Sequence, residues 1–415
     1  MTAPDDQGLP WLLFLAVNSW NGTARTDHHI ATHLTSHARI LWVDPPASMV
    51  TPASNRFGEP RRVLPRLVTV APRVTRLMTV APPFHTRPGI RRVTPMLVRA
   101  QVRHALRARQ IRPVAALSFS AGDLLGRWGD NVLDVLYVTD DYLAGADLMD
   151  IKAAEVAREE ATALARADLV ITVSPVLADK WRGLGADPLL VPGGVLSEAY
   201  SDVDSAPRPP DIDLAGPVAG VVGHISERID IGLLEEVVAA GCSLLLVGTV
   251  DPQWEPVRFD RLLKHPRVRH VGHRPFAELP SYLRLIDVGL TPYVDTAFNR
   301  ASFPLKTLEY LAAGRPVVST DLPAVRWLGT DLIRVAAAGE FGTAVRQATL
   351  EARTPEMLVR RRQFAADHSW CQRAELVGKA IGLSVEQTRQ RVQDGSLGEA
   401  SGRATSTGCA RGTGN

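Results

Sequence analysis

Lys306 and Glu309 stand three residues apart in the stretch Phe303-Pro-Leu-Lys-Thr-Leu-Glu-Tyr-Leu-Ala-Ala-Gly314, so a helix would place both side chains on one face. The stretch reads as such a helix. Pro304 suits a first helical position, where its missing N–H costs nothing, and Leu305, Leu308, Tyr310 and Leu311 supply the apolar side chains. We expect a start at about Phe303, a stop at Gly314, and a short buried strand in Pro316-Val-Val-Ser-Thr320. A helix N-terminus offers unpaired N–H groups and a partial positive charge, which suit a phosphate. Lys306 adds a full charge in the first turn, and Glu309 is placed to accept hydrogen bonds from ribose hydroxyls. An i,i+3 ion pair on a solvated face is the alternative. Lysine is scarce, at five of the 47 basic residues, which makes Lys306 informative.

Other residues carry chemistry at the ends of apolar runs. Pro217 to Val222 leads into Gly223-His224-Ile-Ser-Glu-Arg228, where Gly223 permits close backbone approach and His224 with Arg228 can meet phosphates from a second wall. A structural pairing of Arg228 with Glu227 or Asp230 is the alternative. Leu133 to Val138 ends in Thr139-Asp140-Asp141-Tyr142, with two carboxylates at the carboxyl end of a strand, where open α/β sheets bind ligands. Adjacent Asp residues can also cap a turn. Gly22 sits in the first strand-to-helix loop, but there is no GxGxxG, so a dinucleotide site is unsupported. His29, His33 and His37 recur on one helix face; without an HExxH or a carboxylate pattern they read as a polar or exposed face rather than a metal site.

The stretch around Lys306 resembles the nucleotide-sugar site of GT-B glycosyltransferases of family 4 (group 1), particularly the teichuronic-acid type, whose helix reads Pro-Leu-Lys-x-x-Glu-Tyr-Leu-Ala-Ala-Gly-x-Pro-Val-Val. Ala167-Asp-Leu-Val-Ile-Thr-Val-Ser-Pro175 is similar to the end of a GT-B amino-terminal domain. The resemblance spans about residues 10 to 375. It implies that Glu309 holds the ribose and that Phe303, Pro304, Leu305, Lys306 and Thr307 line the diphosphate. It also implies that Gly272, His273 and Arg274 lie near the base, and that Gly22, Gly223, His224 and Arg228 complete the nucleotide-sugar site. Arg228, Lys306 and Asp141 become the catalytic candidates, with Asp140 and Asp141 on the acceptor side.

Two features depart from the family pattern. The family's Arg and Lys in the glycine loop are met here by His224 and Arg228, and the first Glu of its Glu-x7-Glu pattern is Ala301. The implied activity is transfer of a sugar from a nucleoside diphosphate to an acceptor hydroxyl with retention, in cell-envelope or exopolysaccharide synthesis. No metal or other cofactor is expected, since Arg228, Lys306 and helix N–H groups can neutralise the leaving diphosphate. A sugar-nucleotide 2-epimerase of the same architecture and a non-catalytic sugar-nucleotide-binding protein are the rivals.

The elements that must position these residues follow from the rest of the chain. At 415 residues, 45% hydrophobic and 22% charged, it is a globular α/β chain too long for one core. Apolar runs at Trp11 to Val17, Ile40 to Val43, Val114 to Phe119, Leu133 to Val138, Ser243 to Val247 and Asp287 to Thr291 alternate with helical segments, as parallel sheets require. Leu67 to Pro72 and Leu77 to Pro82 read as two short strands closed by prolines, and Thr94-Pro95 as a cap launching a helix to about Gln110. The expected fold is GT-B: two Rossmann-like domains with parallel sheets facing across a cleft. We expect an acceptor-side domain over 1–200, a linker over 201–215, and a nucleotide-sugar domain over 216–383 whose last helix can cross back. A disordered tail over 384–415 should follow.

Charge is unevenly spread although the net value is only +3. Pro60 to Arg112 holds 13 arginines and no Asp or Glu. Arg99, Arg103 and Arg107, with Arg92 ahead of them, share a helix face beside Leu97, Val98, Val102 and Leu106, which suits an anionic membrane surface. No nucleic-acid motif accompanies them. The expectation is a cytoplasmic protein held peripherally on the inner leaflet and acting on a lipid-linked or polysaccharide acceptor. Three widely spaced cysteines without CxxC fit a reducing compartment.

Overall fold

The computed structural model describes residues 8–48, 63–84, 90–120, 122–149, 151–210, 212–351 and 354–383. The expected tail at 384–415 lies outside them. The chain opens with β1 (Trp11–Leu15), α1 (Thr26–Leu34), β2 (Arg39–Val43), β3 (Ala47–Ser48), β4 (Arg66–Ala71), β5 (Val74–Met78), β6 (Val80–Ala81) and α2 (Ile90–Ala108). It continues through β7 (Pro113–Ser118), β8 (Leu133–Val138), α3 (Ala153–Leu164), β9 (Leu169–Thr172), α4 (Pro175–Gly183) and β10 (Leu189–Leu190). Then follow β11 (Val218–Val222), α5 (Ile231–Ala239), β12 (Ser243–Val247), α6 (Pro256–Leu263), β13 (Val268–His270), α7 (Leu279–Leu285) and β14 (Val288–Thr291). The last elements are α8 (Ala297–Ala301), α9 (Leu305–Ala312), β15 (Val317–Ser319), α10 (Pro323–Leu328), β16 (Ile333–Val335), α11 (Phe341–Ala348), α12 (Pro355–Ala366) and α13 (Trp370–Ala380). Among the described residues two compact units result: those within 8–138, 154–171 and 371–383, and those within 139–153 and 172–370.

In the first unit the strands lie in the order β9-β8-β7-β1-β2-β5-β4. The pairs β8/β7, β7/β1, β1/β2 and β2/β5 are parallel. Because parallel strands are covered on both faces, β1, β2, β7 and β8 are nearly continuous apolar runs. The first proline-closed run forms β4, which pairs with β5 in an antiparallel hairpin turned at Arg73 with φ 62°, whereas the second, Leu77 to Pro82, is divided between the end of β5 and β6, which pairs with β3. In the second unit the order is β13-β12-β11-β14-β15-β16, all parallel. The chain steps outward from β11 to β13 and returns on the other side at β14, so the order reverses between β11 and β14. Leu234, Val237, Phe341 and Val345 from the helices pack on Leu244, Leu246, Val288 and Leu290 in this unit's core.

Helix boundaries follow the caps where caps exist. Ser174 accepts from Leu177 N–H at 3.2 Å ahead of Pro175, and Thr354 accepts from Met357 N–H at 3.3 Å ahead of Pro355. Two expectations are corrected. Pro95 lies inside α2 rather than at its start, and the Thr94 hydroxyl donates back to the Ile90 carbonyl at 3.0 Å instead of capping. Pro304 is the residue before α9, with ψ 81°, so that helix starts at Leu305.

The basic face of α2 is also corrected. Arg99 is buried at 8% exposure and ion-pairs with Asp123, because on this helix its side chain turns inward beside Val98 and Val102. Arg103 and Arg107 remain exposed, and the side chain of Arg92 lies outside the described ones. Val93, Met96 and Leu97 are exposed on the same helix. Among the described residues no helix is long and apolar enough to cross a membrane. Cys242 is free and buried.

Candidate active site

The second unit gathers most of the candidate residues where its strand order reverses, the place at which open α/β sheets bind ligands. The floor is backbone. Gly223, with φ 140°, follows β11 and donates to the Val247 carbonyl at 2.8 Å; Gly248, with φ 147°, follows β12 and donates to the Gly272 carbonyl at 2.8 Å. A Cβ at Gly248 would stand 1.7 Å from the Gly223 oxygen, so only glycine lets these two loop starts meet. A Cβ at Gly223 would stand 3.3 Å from Lys306 Cε, which puts the lysine stem directly against the glycine.

Helix α9 is fixed to this floor by its own side chains. The fully buried Tyr310 accepts from Val222 N–H through its hydroxyl at 2.8 Å, tying the helix to the last residue of β11. Lys306 donates to both oxygens of Glu309, at 3.0 and 2.8 Å, with both side chains half-buried. The i,i+3 pair is therefore formed, and it sits against the glycine floor rather than on a solvated face. Thr307 is fully buried, and its hydroxyl has no hydrogen-bond partner among the described residues. Burial, with the Glu309 carboxylate nearby, pushes the Tyr200 phenol well above its ordinary range.

Arg228 is held from one side. Its Nε donates to Asn299 Oδ1 at 2.8 Å, and its guanidinium lies 5.0 Å from the Phe298 ring centre and 5.5 Å from that of Tyr293. Asp230, one of the two alternative partners expected for Arg228, caps α5 by accepting from Gly232 N–H at 2.8 Å and is otherwise engaged. Tyr293 feels the charges of Arg228, Lys306 and Glu309 together, while burial pushes its own phenol up.

The remaining candidates are placed as follows. His224 is exposed, with Nδ1 2.8 Å from the Thr249 hydroxyl. Phe303 and Pro304 are buried and Leu305 is half-buried at the head of α9. Gly272 adopts φ 68°, His273 is exposed, and Arg274 turns its Nε to the Tyr282 hydroxyl at 2.6 Å. Asp140 is half-buried. Asp141 accepts from Ala144 N–H at 3.0 Å and from Lys180 Nζ at 2.8 Å, so its carboxylate acts as a turn cap and ion-pair partner. That turn reaches Gly145, where a Cβ would stand 2.7 Å from the Phe298 ring. Ala301, in the place of the family's first Glu, is fully buried and its carbonyl accepts from the Ser174 hydroxyl.

Gly22 lies in the first unit and donates to the Ser19 carbonyl at 2.8 Å. Its loop rests on a buried ion pair: Arg76 donates to Asp44 Oδ2 from Nε at 2.8 Å and from Nη2 at 2.6 Å. Asp44 Oδ1 also accepts from Trp20 N–H at 3.1 Å and Trp42 Nε1 at 3.0 Å. His28 packs on Trp20 with ring centres 4.3 Å apart. Burial lowers the pKa of His28, and burial with its two neighbouring histidines lowers that of His29 to about 3. His29, His33 and His37, expected on one polar, cleft-facing or exposed face, are each half-buried. Asn299, Gly248, Thr249 and Tyr310 were not singled out from the sequence. Their partners lie up to 88 residues away, and no local spacing marks them.

Comparison with known proteins fits this geometry. The family model described as Glycosyl transferases group 1 matches residues 221–349, the span holding the glycine floor, Arg228 and α9. The Bacillus subtilis (strain 168) protein TuaH, assigned as a teichuronic acid biosynthesis glycosyltransferase, is 36% identical over 166 residues. That match spans 38% of this chain and 42% of the relative's length. Among solved structures, sucrose-phosphate synthase from Thermosynechococcus elongatus superposes with TM-score 0.66 at 16% identity, covering 93% of this chain and all of the other. WaaG, a glycosyltransferase of lipopolysaccharide biosynthesis, gives TM-score 0.61 at 13% identity over 89% of this chain and 99% of its own. The E. coli trehalose-6-phosphate enzyme bound with UDP-2-fluoro glucose gives 0.62 at 13% over 90% and 99%. The fold is GT-B, as the sequence reading expected.

Proposed function

We propose that this protein is a glycosyltransferase that moves a sugar from a nucleoside diphosphate to an acceptor hydroxyl, with residues 216–383 taking the donor and residues 1–200 the acceptor. The observation that carries this reading is the Lys306 stem lying against Gly223, paired with Glu309, while Asn299 holds Arg228 in the loop that Gly223 opens. As the bond from the anomeric carbon to the diphosphate oxygen breaks, negative charge grows on the leaving group, where Arg228, Lys306 and the first N–H groups of α9 can stabilise it. In this proposal Arg228 and Lys306 supply the neutralising charge, and no metal or other cofactor is invoked. Glu309 exchanges its bond to Lys306 for the ribose hydroxyls. Retention of anomeric configuration goes with the family resemblance.

Asp141 is left out of the chemistry, since Lys180 and a turn N–H already engage it. The name of the Bacillus subtilis relative supports a cell-envelope polysaccharide as the acceptor. Peripheral contact with an anionic inner leaflet is kept, now through Arg103 and Arg107 with exposed Val93, Met96 and Leu97, and without Arg99. A thermal-shift screen of nucleoside diphosphates and their sugars tests the donor, because a ligand of the folded state raises the melting temperature. Turnover of the best donor, with and without envelope-type acceptors, then tests transfer. Stabilisation by nucleoside diphosphates with acceptor-dependent release is expected; conversion of the sugar nucleotide alone, or no stabilisation by any of them, overturns the proposal.

A further inference from the structure

We infer that Asn299 is a positioning residue that aims the Arg228 guanidinium at the donor diphosphate. The inference rests on the reading that Arg228 meets that diphosphate. Asn299 is 1% exposed, and its whole amide is spent on Arg228 and Val294. Oδ1 accepts from Arg228 Nε at 2.8 Å, while Nδ2 donates to the Arg228 carbonyl at 3.1 Å and to the Val294 carbonyl at 2.9 Å. The same amide thus holds both the backbone and the side chain of Arg228. Thr296 holds Asn299 in turn, accepting from its N–H at 3.2 Å. Phe298 and Tyr293 lie against the guanidinium, and the Asp141–Gly145 turn closes on Phe298.

An arginine side chain has many rotamers, and most of them would point its charge away from any one oxygen pair. With Nε engaged, the edge that remains is Nη1 and Nη2, neither of which has a hydrogen-bond partner among the described residues. That edge is the fork that grips two phosphate oxygens side by side. A lysine could supply the charge but has no Nε–H for Asn299 to hold, so here the two cations are not interchangeable.

The test is a double-mutant cycle read by calorimetric binding of ADP, GDP, CDP, UDP and dTDP, with the nucleoside of the tightest binder as control. Asn299→Ala should weaken the diphosphate about tenfold and leave the nucleoside within about twofold, as expected for a misaimed charge-assisted bond. In the Arg228→Gln background the same change should add less than about twofold. Arg228→Lys, which keeps the charge without the Nε–H, should lose at least about fivefold. A thermal melt checks folding; if Asn299→Ala does not fold, Arg228→Lys decides alone. A costly Arg228→Gln with a harmless Asn299→Ala, an equal Asn299→Ala cost in both backgrounds, or wild-type binding by Arg228→Lys overturns the positioning role. Wild-type diphosphate binding by Arg228→Gln instead overturns the assignment of Arg228 to the diphosphate, and the inference falls with it.

Discussion

Each unit ends a parallel strand in a loop where its strand order reverses, and the two loops are braced in opposite ways. After β1, the loop of Ser19, Trp20 and Gly22 rests on the Asp44–Arg76 pair, both members almost fully buried and walled by Trp42. After β11, the loop of Gly223 to Arg228 rests on backbone contact between glycines and on a neutral amide, Asn299. The first brace consumes its own charge, because the carboxylate and guanidinium satisfy one another. The second leaves the outer edge of Arg228 unpaired. A charge already matched by a buried partner is scaffold; a charge held by a neutral group remains available to a ligand.

The largest expected effect sharpens the scaffold half of that contrast. Asp44→Ala leaves Arg76 buried without its carboxylate and should destabilise the fold by about 3–5 kcal/mol in denaturant unfolding. A loss under about 1 kcal/mol would mean that the pair is not a brace. For the ligand-facing half, replacing Arg228 and Lys306 together by Gln should cut turnover at saturating donor by about 100-fold or more with little loss of stability. An unchanged rate would put leaving-group charge elsewhere. Glu309→Ala should cost about 1.5–3 kcal/mol of nucleoside diphosphate affinity, because ribose hydroxyls lose a charged acceptor. Equal affinity in a calorimetric titration would reduce Glu309 to a partner of Lys306.

The smallest effect extends the contrast to α2, where Arg99 is matched by Asp123 and Arg103 and Arg107 are exposed. Sedimentation with anionic liposomes should weaken by about 1 kcal/mol for each of Arg103→Gln and Arg107→Gln and should fall with salt. Equal sedimentation with neutral vesicles would remove the electrostatic part of the membrane proposal.

Much of the site was legible because it is local. Lys306 and Glu309 are neighbours on any helix that contains them, and Gly223 follows an apolar run that could only be a buried strand. The same spacing rule misjudged Arg99: it put three arginines on one face but could not tell that part of that face turns toward Asp123. It also read the Asp140-Asp141 pair as a candidate site, although Lys180, on a later helix, takes the second carboxylate.

By itself the sequence determined the alternation of strands and helices, the Ser174-Pro175 helix start, and the face shared by Lys306 and Glu309. Each of these depends on residues within a turn or two of one another. Only the tertiary structure decided which charges are spent and which remain. Arg228 meets Asn299 across 71 residues, Arg76 meets Asp44 across 32, and Tyr310 meets Val222 across 88. Such partners are chosen by the packing of whole elements, which local spacing does not encode.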